Sequence, residues 1–293
     1  MDNISKQYIY KNIASVLTTN VFLAEALTEI IYSQELQSQL LSTYSTYRSM
    51  EYRDKAYRNF DKRYILRRQI LNELFSYKIL LDEKEICLGK GGCRPIISPV
   101  PRRFFQIIGL PGSGKSYIAN IISSTNGAYI IDSDYAKRKF PEFSLNPFAS
   151  SLLHEEANKI TYSKSEDSVF TYCLNYRYSM IMPRIGHSFD GLNSYLMIMN
   201  KLGYDIYLIF MDISLNESII CSHKRFNSTG RYTPLLKIKN EYGRLPEKNY
   251  HLIKQSNYIS GYAWIKTNLH RTYDILENHH LDKVINALHE RKK

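Results

Sequence analysis

Two hydrophobic patterns divide the chain near residue 90. Before that point apolar residues recur at three- and four-residue spacing, and residues 1–88 contain neither glycine nor proline. Both features favour long amphipathic helices, so we predict three or four helices in residues 1–90. After residue 101, short apolar runs alternate with helical stretches. This alternation predicts an α/β domain at 101–293, joined to the helices by the Gly- and Pro-rich stretch 88–101.

Four short apolar runs in the second part are the predicted strands. They span residues 104–108, 128–131, 178–182 and 204–211. Predicted helices cover 116–123, much of 148–177, 193–201 and the stretch that follows the capping box Ser214-x-x-Glu217. Strands that alternate with helices predict a mostly parallel sheet flanked by helices. Such sheets bind ligands at the carboxyl ends of their strands.

A phosphate-binding motif follows the first predicted strand. Gly109-Leu110-Pro111-Gly112-Ser113-Gly114-Lys115-Ser116 fits G-x-x-x-x-G-K-[ST] at every position, and a predicted helix follows it. In such a P-loop the backbone N–H groups hold the β-phosphate, the lysine reaches the β- and γ-phosphates, and the serine hydroxyl binds Mg²⁺. A chance match in a Gly-rich turn is the alternative, but the flanking strand and helix meet the motif's requirement. The predicted nucleotide-binding residues are Gly109, Pro111, Gly112, Ser113, Gly114, Lys115 and Ser116.

Composition limits the class of protein. With 293 residues of which 44% are hydrophobic, the chain can bury a core of one or two domains. It contains no run of 18 apolar residues and no N-terminal pattern of a cleaved signal, so we expect no membrane span. Its four cysteines have neither paired metal-ligand spacing nor the density of a disulfide scaffold. A reducing compartment is therefore expected.

The net charge of +11 is concentrated in the second part. Residues 89–293 hold 27 of the 39 Lys and Arg residues but 17 of the 28 Asp and Glu residues. A basic surface favours anionic partners. No run of basic and aromatic residues has the spacing of a nucleic-acid module, so a nucleotide and an anionic co-substrate are the expected partners rather than nucleic acid.

Two aspartates follow the second predicted strand. Asp132 and Asp134 lie two residues apart and 17 and 19 residues after Lys115. A phosphoryl-transfer enzyme needs a group that orients the attacking hydroxyl and accepts its proton, and an aspartate facing the P-loop suits both tasks. Strand ends also attract aspartate as a turn or N-cap residue. The spacing alone is consistent with either role.

Residues 132–141, DSDYAKRKFP, resemble the signature of the zeta toxin family: two aspartates, a basic stretch, and a proline seven residues after the second aspartate. Gly203-Tyr204 is similar to the family's Gly-Tyr before a long strand. Arg225 falls where the family has its first lid arginine, and Arg231 fits the second after a shortened loop. The resemblance covers residues 104–235 and omits the N-terminal helices.

The resemblance implies a P-loop kinase that uses ATP and Mg²⁺, a phosphotransferase with an alcohol group as acceptor. Zeta toxins phosphorylate a sugar hydroxyl of UDP-N-acetylglucosamine, and related secreted bacterial effectors phosphorylate a ribose hydroxyl of NAD. If the roles of the family's residues are assigned to the matching positions of this chain, Lys115 and Ser116 would bind ATP and Mg²⁺. Asp134 would be the general base. Arg225 and Arg231 would neutralise the transferring phosphate.

The acceptor side departs from the family pattern. The family's substrate-binding glutamate aligns loosely with Asp167, or else with Glu166. After the third strand, Pro183 and Ile185 stand where the family tends to have an acidic and a small hydroxyl residue. A histidine in this loop can bind an acceptor phosphate or have no role. The expected acceptor-side residues are Asp132, Asp167, Arg184 and His187.

Several functions stay open at this point. The first is a bacterial toxin or effector kinase acting on a nucleotide metabolite, in the bacterial cytoplasm or delivered into a target cell without a classical signal. A polynucleotide 5′-hydroxyl kinase is the second, and a nucleotide-gated binding module without kinase activity is the third. The N-terminal helices could restrain the kinase, dock an antitoxin, inhibitor or chaperone, or complete the core of the domain.

Overall fold

A computed structural model describes residues 5–41, 44–145, 149–229 and 233–290. The strands are β1 (Arg103–Gly109), β2 (Tyr129–Ile130), β3 (Met180–Arg184), β4 (Asp205–Asp212), β5 (Ile259–Thr267) and β6 (Tyr273–His279). The α-helices are α1 (Lys6–Ile9), α2 (Ser15–Leu17), α3 (Val21–Leu41), α4 (Phe60–Ser76), α5 (Lys115–Asn126), α6 (Ser133–Arg138), α7 (Glu142–Leu145), α8 (Ala149–Leu152), α9 (His154–Tyr162), α10 (Val169–Asn175), α11 (Phe189–Lys201), α12 (Leu215–Thr229), α13 (Leu245–Ile253) and α14 (Asp282–Glu290). Two π-helical turns cover Tyr10–Ala14 and Lys237–Tyr242, and two 3₁₀ turns cover Lys55–Tyr57 and Glu83–Glu85.

The six strands form one sheet in the order β2-β3-β1-β4-β5-β6. All neighbouring pairs are parallel except β5 and β6, which form an antiparallel pair. This arrangement confirms the predicted parallel sheet flanked by helices. The third strand was expected at 178–182 and lies two residues later, while the second is shortened to Tyr129–Ile130. The β5–β6 pair was not predicted.

The first strand lies at the centre of the sheet and is buried from Phe104 onward. Its residue Ile108 is in register with Arg184 of β3 and with Phe210 of β4. The backbone N–H of Gly109 then donates to the carbonyl of Ile185, at 3.1 Å. The carboxyl ends of three adjacent strands are therefore held at the same level.

The N-terminal helices belong to two different hydrophobic clusters. Helix α4 contributes Leu66, Ile70 and Leu74 to the same core as the sheet, and the connector adds Cys93, whose carbonyl accepts from the N–H of Ile130 at 3.0 Å. By contrast, α1 and α3 pack against α12 and the second π-helical turn. The boundary at residues 90–101 remains a prediction, and α4 with the connector packs as part of the sheet's core.

A buried ion-pair network fixes α4 against α7 and α9. The Arg63 guanidinium is fully buried and donates to both oxygens of Glu156, at 2.8 and 2.6 Å, and to Glu142 at 2.6 Å. Arg67 forms a second ion pair with Glu156, and the Thr46 hydroxyl donates to the same carboxylate at 2.6 Å. The hydrogen bonds and the charge of Glu156 outweigh burial and raise the pKa of Arg63. Glu156 is therefore shared by two cations, of which Arg63 also pairs with Glu142.

No helix in the described ranges is long and apolar enough to cross a membrane.

Glu156→Ala should lower the free energy of unfolding by about 3–5 kcal/mol, because it removes the buried carboxylate that pairs with both Arg63 and Arg67 and leaves Arg63 with Glu142 alone. Its neighbour Glu155 offers a matched control, since it pairs with the exposed Arg48. Glu155→Ala should cost about 0–1 kcal/mol. Urea unfolding of both variants measures the difference. Equal losses would show that the buried network does not stabilise the fold in this way.

Candidate active site

The Gly-rich loop after β1 turns sharply beneath α12. Gly112 has φ +75°, and a Cβ atom there would lie 2.7 Å from the Cβ of Cys221. Only glycine fits both the backbone angle and the close approach. The Ser218 hydroxyl of α12 also donates to the carbonyl of Pro111, at 2.7 Å. These contacts bind the loop to α12.

Lys115 and Ser116 occupy the first turn of α5, at the end of the loop. The Lys115 Nζ donates to the carbonyls of Gly109 and Leu110, at 2.8 and 2.6 Å, so its ammonium lies over the concave side of the loop. Both residues line the cleft above the sheet. The N–H groups at the N-terminus of α5 and this ammonium together form a site suited to phosphate groups.

Asp132 begins α6 as its N-cap. Its Oδ1 accepts from the backbone N–H of Asp134, at 2.9 Å. The strand does not extend through the two aspartates, because β2 ends at Ile130. The N-cap role considered for these residues is therefore observed for Asp132, which lines the cleft from that position.

Asp134 lies in the first turn of α6 and is 5% exposed. Its Oδ1 is 3.0 Å from the Nζ of Lys137, one turn later, and this lysine is also 5% exposed. The Ser150 hydroxyl lies 3.5 Å from the same Nζ. A buried carboxylate beside a buried ammonium is stabilised in its ionised form. Both side chains line the same cleft as the P-loop.

Aromatic rings hold a second cationic group at the end of β3. The Arg184 guanidinium lies 4.5 Å from the ring centre of Tyr162 and 5.1 Å from that of Tyr195, and the Lys164 Nζ lies 4.0 Å from the Tyr195 ring. Burial, and then the charge of Arg184, lowers the pKa of Lys164. Among the described residues, neither cation has a carboxylate within ion-pair distance. This pair of cations is therefore an attractive position for an anion.

Tyr162 connects this cationic pair to the aspartates. Its hydroxyl donates to the carbonyl of Ile131, at 2.9 Å, immediately before Asp132. Burial, followed by the negative charge of Asp132, raises the pKa of this phenol well above its ordinary value. The ring therefore remains a neutral platform for Arg184 over the whole physiological pH range.

His187 and Arg225 also line the cleft. His187 is exposed, with its ring centre 5.1 Å from that of Tyr242 in the second π-helical turn. Arg225 is half-buried on α12, and its Nη2 lies 3.5 Å from the Thr233 hydroxyl. Arg231, the second predicted lid arginine, lies outside the described residues.

The acidic residues predicted to contact the acceptor form ion pairs outside the cleft. Asp167 is exposed and pairs with Arg68 of α4 at 2.6 Å, and Glu166 is exposed and pairs with Lys159 at 3.4 Å. Neither lines the cleft. An acceptor contact by Asp167 or Glu166 stays a prediction.

Ten of the other predicted residues line one cleft of about 1000 Å³, namely Pro111, Gly112, Gly114, Lys115, Ser116, Asp132, Asp134, Arg184, His187 and Arg225, whereas Gly109 and Ser113 of the P-loop do not line it. The P-loop borders one side of it, the aspartates of α6 and Lys137 another, and the end of β3 a third. Sequence reasoning missed several of its cationic and aromatic residues. These are Lys137, Tyr162, Tyr195, Lys224, Lys237 and Arg271. Only Lys137 carried a local signal, since it follows Asp134 by three residues on a helix.

A family model decides the classification. The zeta toxin model matches residues 104–276, which is more than half of the chain. The chain belongs to the zeta toxin family. Membership in this family implies a kinase-type phosphotransferase. It also confirms the family resemblance that residues 132–141 indicated. No curated protein sequence matches the chain.

Solved structures show the same fold at low identity. One is from the PezAT chromosomal toxin–antitoxin system of Streptococcus pneumoniae, with 12% identity, a TM-score of 0.50, and coverage of 77% of this chain and 84% of that one. Another is the AvrRxo1-ORF1:-ORF2 complex, with 16% identity, a TM-score of 0.50, and coverage of 74% and 67%. The same complex with ATP gives 15% identity, a TM-score of 0.51, and coverage of 76% and 69%.

Lys115→Ala should reduce phosphoryl transfer by this member of the family about 10²- to 10³-fold or more, because it removes a positive charge from the phosphate site. The thermal midpoint should change little, since Lys115 is only half-buried and contacts the loop's own carbonyls. Labelled ATP and a melting curve measure both effects. Lys248→Ala, on the exposed face of α13, is the control. Retained activity in Lys115→Ala would contradict the assignment of the P-loop.

Proposed function

We propose that the chain transfers the γ-phosphate of ATP to a sugar hydroxyl of an anionic nucleotide metabolite such as UDP-N-acetylglucosamine or NAD. The observation that carries this proposal is the position of Asp134. This aspartate lines the cleft that the P-loop also lines, and its carboxylate lies 3.0 Å from the ammonium of the buried Lys137. A kinase needs such a base close to the γ-phosphate. We further propose that the activity is that of a bacterial toxin or effector.

In the proposed reaction Asp134 accepts the proton of the acceptor hydroxyl. The hydroxyl oxygen forms a bond to the γ-phosphorus, the bond between that phosphorus and the bridging oxygen breaks, and ADP leaves. Lys137 keeps the carboxylate ionised before the transfer and orients it by the contact at 3.0 Å. Asp132 fixes the start of α6 and so the direction of Asp134.

The nucleotide side would be formed by the P-loop. Lys115 would exchange its bonds with the loop carbonyls for the β- and γ-phosphates. Arg225 lies on the helix that Ser218 binds to the loop, so it is placed to neutralise charge on the transferring group. Arg231 is proposed as its partner from the family pattern, and Arg271 lines the same side of the cleft.

Mg²⁺ fits this site. Within the described residues no three His, Cys, Asp or Glu side chains form a metal-binding group. A P-loop magnesium ion does not need one, because Mg²⁺ combines one or two protein oxygens with phosphates and water. The Ser116 hydroxyl lines the cleft and supplies such an oxygen. When bound there, the ion would neutralise negative charge on the phosphates.

The acceptor side would bind an anion at Arg184. Its guanidinium and the Lys164 ammonium lie near one Tyr195 ring without a carboxylate partner among the described residues, which favours an acceptor that carries phosphate. His187 lies at the cleft opening, where it is proposed to contact the same group. UDP-N-acetylglucosamine and NAD each contain a diphosphate and a sugar hydroxyl, so both satisfy this requirement.

A toxin or effector role is supported by the family and by two systems with the same fold. PezAT is a toxin–antitoxin system, and AvrRxo1-ORF1:-ORF2 is a complex of two proteins. We therefore propose that an antitoxin, inhibitor or chaperone binds this chain. Co-purification with the product of a neighbouring gene tests this proposal.

Incubation with γ-labelled ATP tests the reaction. UDP-N-acetylglucosamine, NAD and a 5′-hydroxyl oligonucleotide are offered separately, and label in one of the two metabolites is expected. Label on the oligonucleotide would replace the proposal by a polynucleotide kinase. Binding of ATP without transfer to any small acceptor, including those of a metabolite extract, would favour a nucleotide-gated binding module.

Asp134→Asn should lower kcat by about 10²- to 10⁴-fold and leave the Kd for ATP unchanged, because only the proton acceptor is lost. Asp132→Asn is the matched control, since asparagine is as good an N-cap as aspartate and should keep most of the activity. Single-turnover transfer and calorimetric ATP binding measure the two quantities. If Asp134→Asn remains as active as the wild type, the base lies elsewhere.

Arg184→Ala should raise the KM for the acceptor about 10- to 100-fold, as expected for the loss of a charged hydrogen-bond donor, without changing the KM for ATP. Initial rates with either substrate varied measure this separation. Arg94→Ala removes an exposed arginine outside the cleft and serves as the control. An increase in the KM for ATP instead would place Arg184 on the nucleotide side.

A further inference from the structure

A buried carboxylate from the N-terminal helices holds the far side of the cleft. Glu35 of α3 is 2% exposed, and its two oxygens accept from consecutive backbone N–H groups, those of Leu235 at 2.9 Å and Leu236 at 3.1 Å. These two residues begin the helical turn that continues as Lys237–Tyr242. Glu35 therefore caps that turn from an element 200 residues away in sequence, with charge-assisted bonds protected from water.

Hydrophobic contacts surround this cap. Residues 233–242, which contain the capped turn, are called the capped segment below. Ile9, Ile13 and Ile31 from the N-terminal helices pack with Ile219 of α12 and with two residues of this segment, Leu235 and Ile238. Since all six side chains are almost fully buried, the N-terminal helices and the capped segment share one small core. The position of the segment is thereby coupled to α3.

The capped segment is also a wall of the cleft. Thr233, Pro234, Lys237 and Tyr242 line it. The Thr233 hydroxyl lies 3.5 Å from Arg225 Nη2, and the Tyr242 ring lies against that of His187. A displacement of this segment would therefore move the surroundings of Arg225, the arginine proposed to act on the transferring phosphate.

We infer that Glu35 is a positioning residue, and that α1–α3 brace residues 233–242 in the arrangement that closes the cleft over the nucleotide. The brace is a structural element of this chain itself, distinct from an inhibitor that enters the nucleotide site. Any effect of the brace on the rate of phosphoryl transfer rests on the proposed function. Its effects on the stability of residues 233–242 and on ATP binding do not.

Hydrogen exchange of the full-length protein tests the brace. Glu35→Ala should increase the exchange rate of the Leu235 and Leu236 amides about tenfold or more, because both lose a charged acceptor. Exchange in β1 and β4 should stay unchanged. Glu29→Ala is the matched control: it lies on the same helix and loses only an exposed pair with Lys6. Equal exchange in the two variants, or an increase spread evenly over β1 and β4, would overturn the inference.

ATP binding provides the second measurement. Glu35→Ala should raise the Kd for ATP about 5- to 50-fold, whereas Glu29→Ala should not change it. Glu35→Gln keeps one carbonyl acceptor and should give an intermediate value, and it replaces Glu35→Ala if that variant does not fold. An unchanged Kd despite faster exchange at Leu235 would show that the segment does not position the nucleotide and would overturn the inference.

Discussion

The active-site cleft depends on the parallel pairing of β1 with β3 on one side and β4 on the other. Parallel strands bring their carboxyl ends to the same edge of the sheet, and the bond from Gly109 N–H to the Ile185 carbonyl holds two of these ends at one level. The P-loop, the aspartates of α6 and Arg184 can then converge although up to 75 residues separate them in sequence. A shift of β3 by one residue would exchange which of its side chains faces the cleft.

The distribution of charge follows from this geometry. Cations line the cleft both at the P-loop, where Lys115 lies, and at the end of β3, where Arg184 lies, and Asp134 lines the same cleft. A chain that binds one anion needs only the cation at the P-loop. Arg184 lies against tyrosine rings, and it is a reason to expect a second anionic ligand.

Much of the fold was predictable because its signals are local. The apolar run of β1, the P-loop and the long strand β4 each carry a pattern within a few residues, and all three were placed correctly. The β5–β6 pair was missed although both strands alternate regularly between more and less buried positions, because the buried positions of β5 include Gly261, Ala263 and Thr267 and so form no apolar run, and a bulge interrupts the register. Such pairing depends on tertiary contacts that no local pattern records.

The site was predictable to the extent that its residues follow motifs. Lys115 and Ser116 could be placed from the P-loop, whereas for Asp132 the sequence allowed a cap or a base and the structure was needed to show the cap. The ion pair of Asp167 with Arg68 of α4 joins residues 99 positions apart, which no motif indicates. The contact of Glu35 with Leu235 joins residues 200 positions apart, so no sequence pattern could have indicated it.

Identification of the phosphorylated molecule in a metabolite extract tests the account most directly. The protein is incubated with γ-labelled ATP and the extract, and the labelled product is identified by mass spectrometry. We predict a small nucleotide that carries a diphosphate and one additional phosphate on a sugar hydroxyl, formed about 10²-fold or more slowly when Asp134→Asn replaces the wild type. A labelled neutral sugar, or formation of the same product by Asp134→Asn at the wild-type rate, would contradict this prediction.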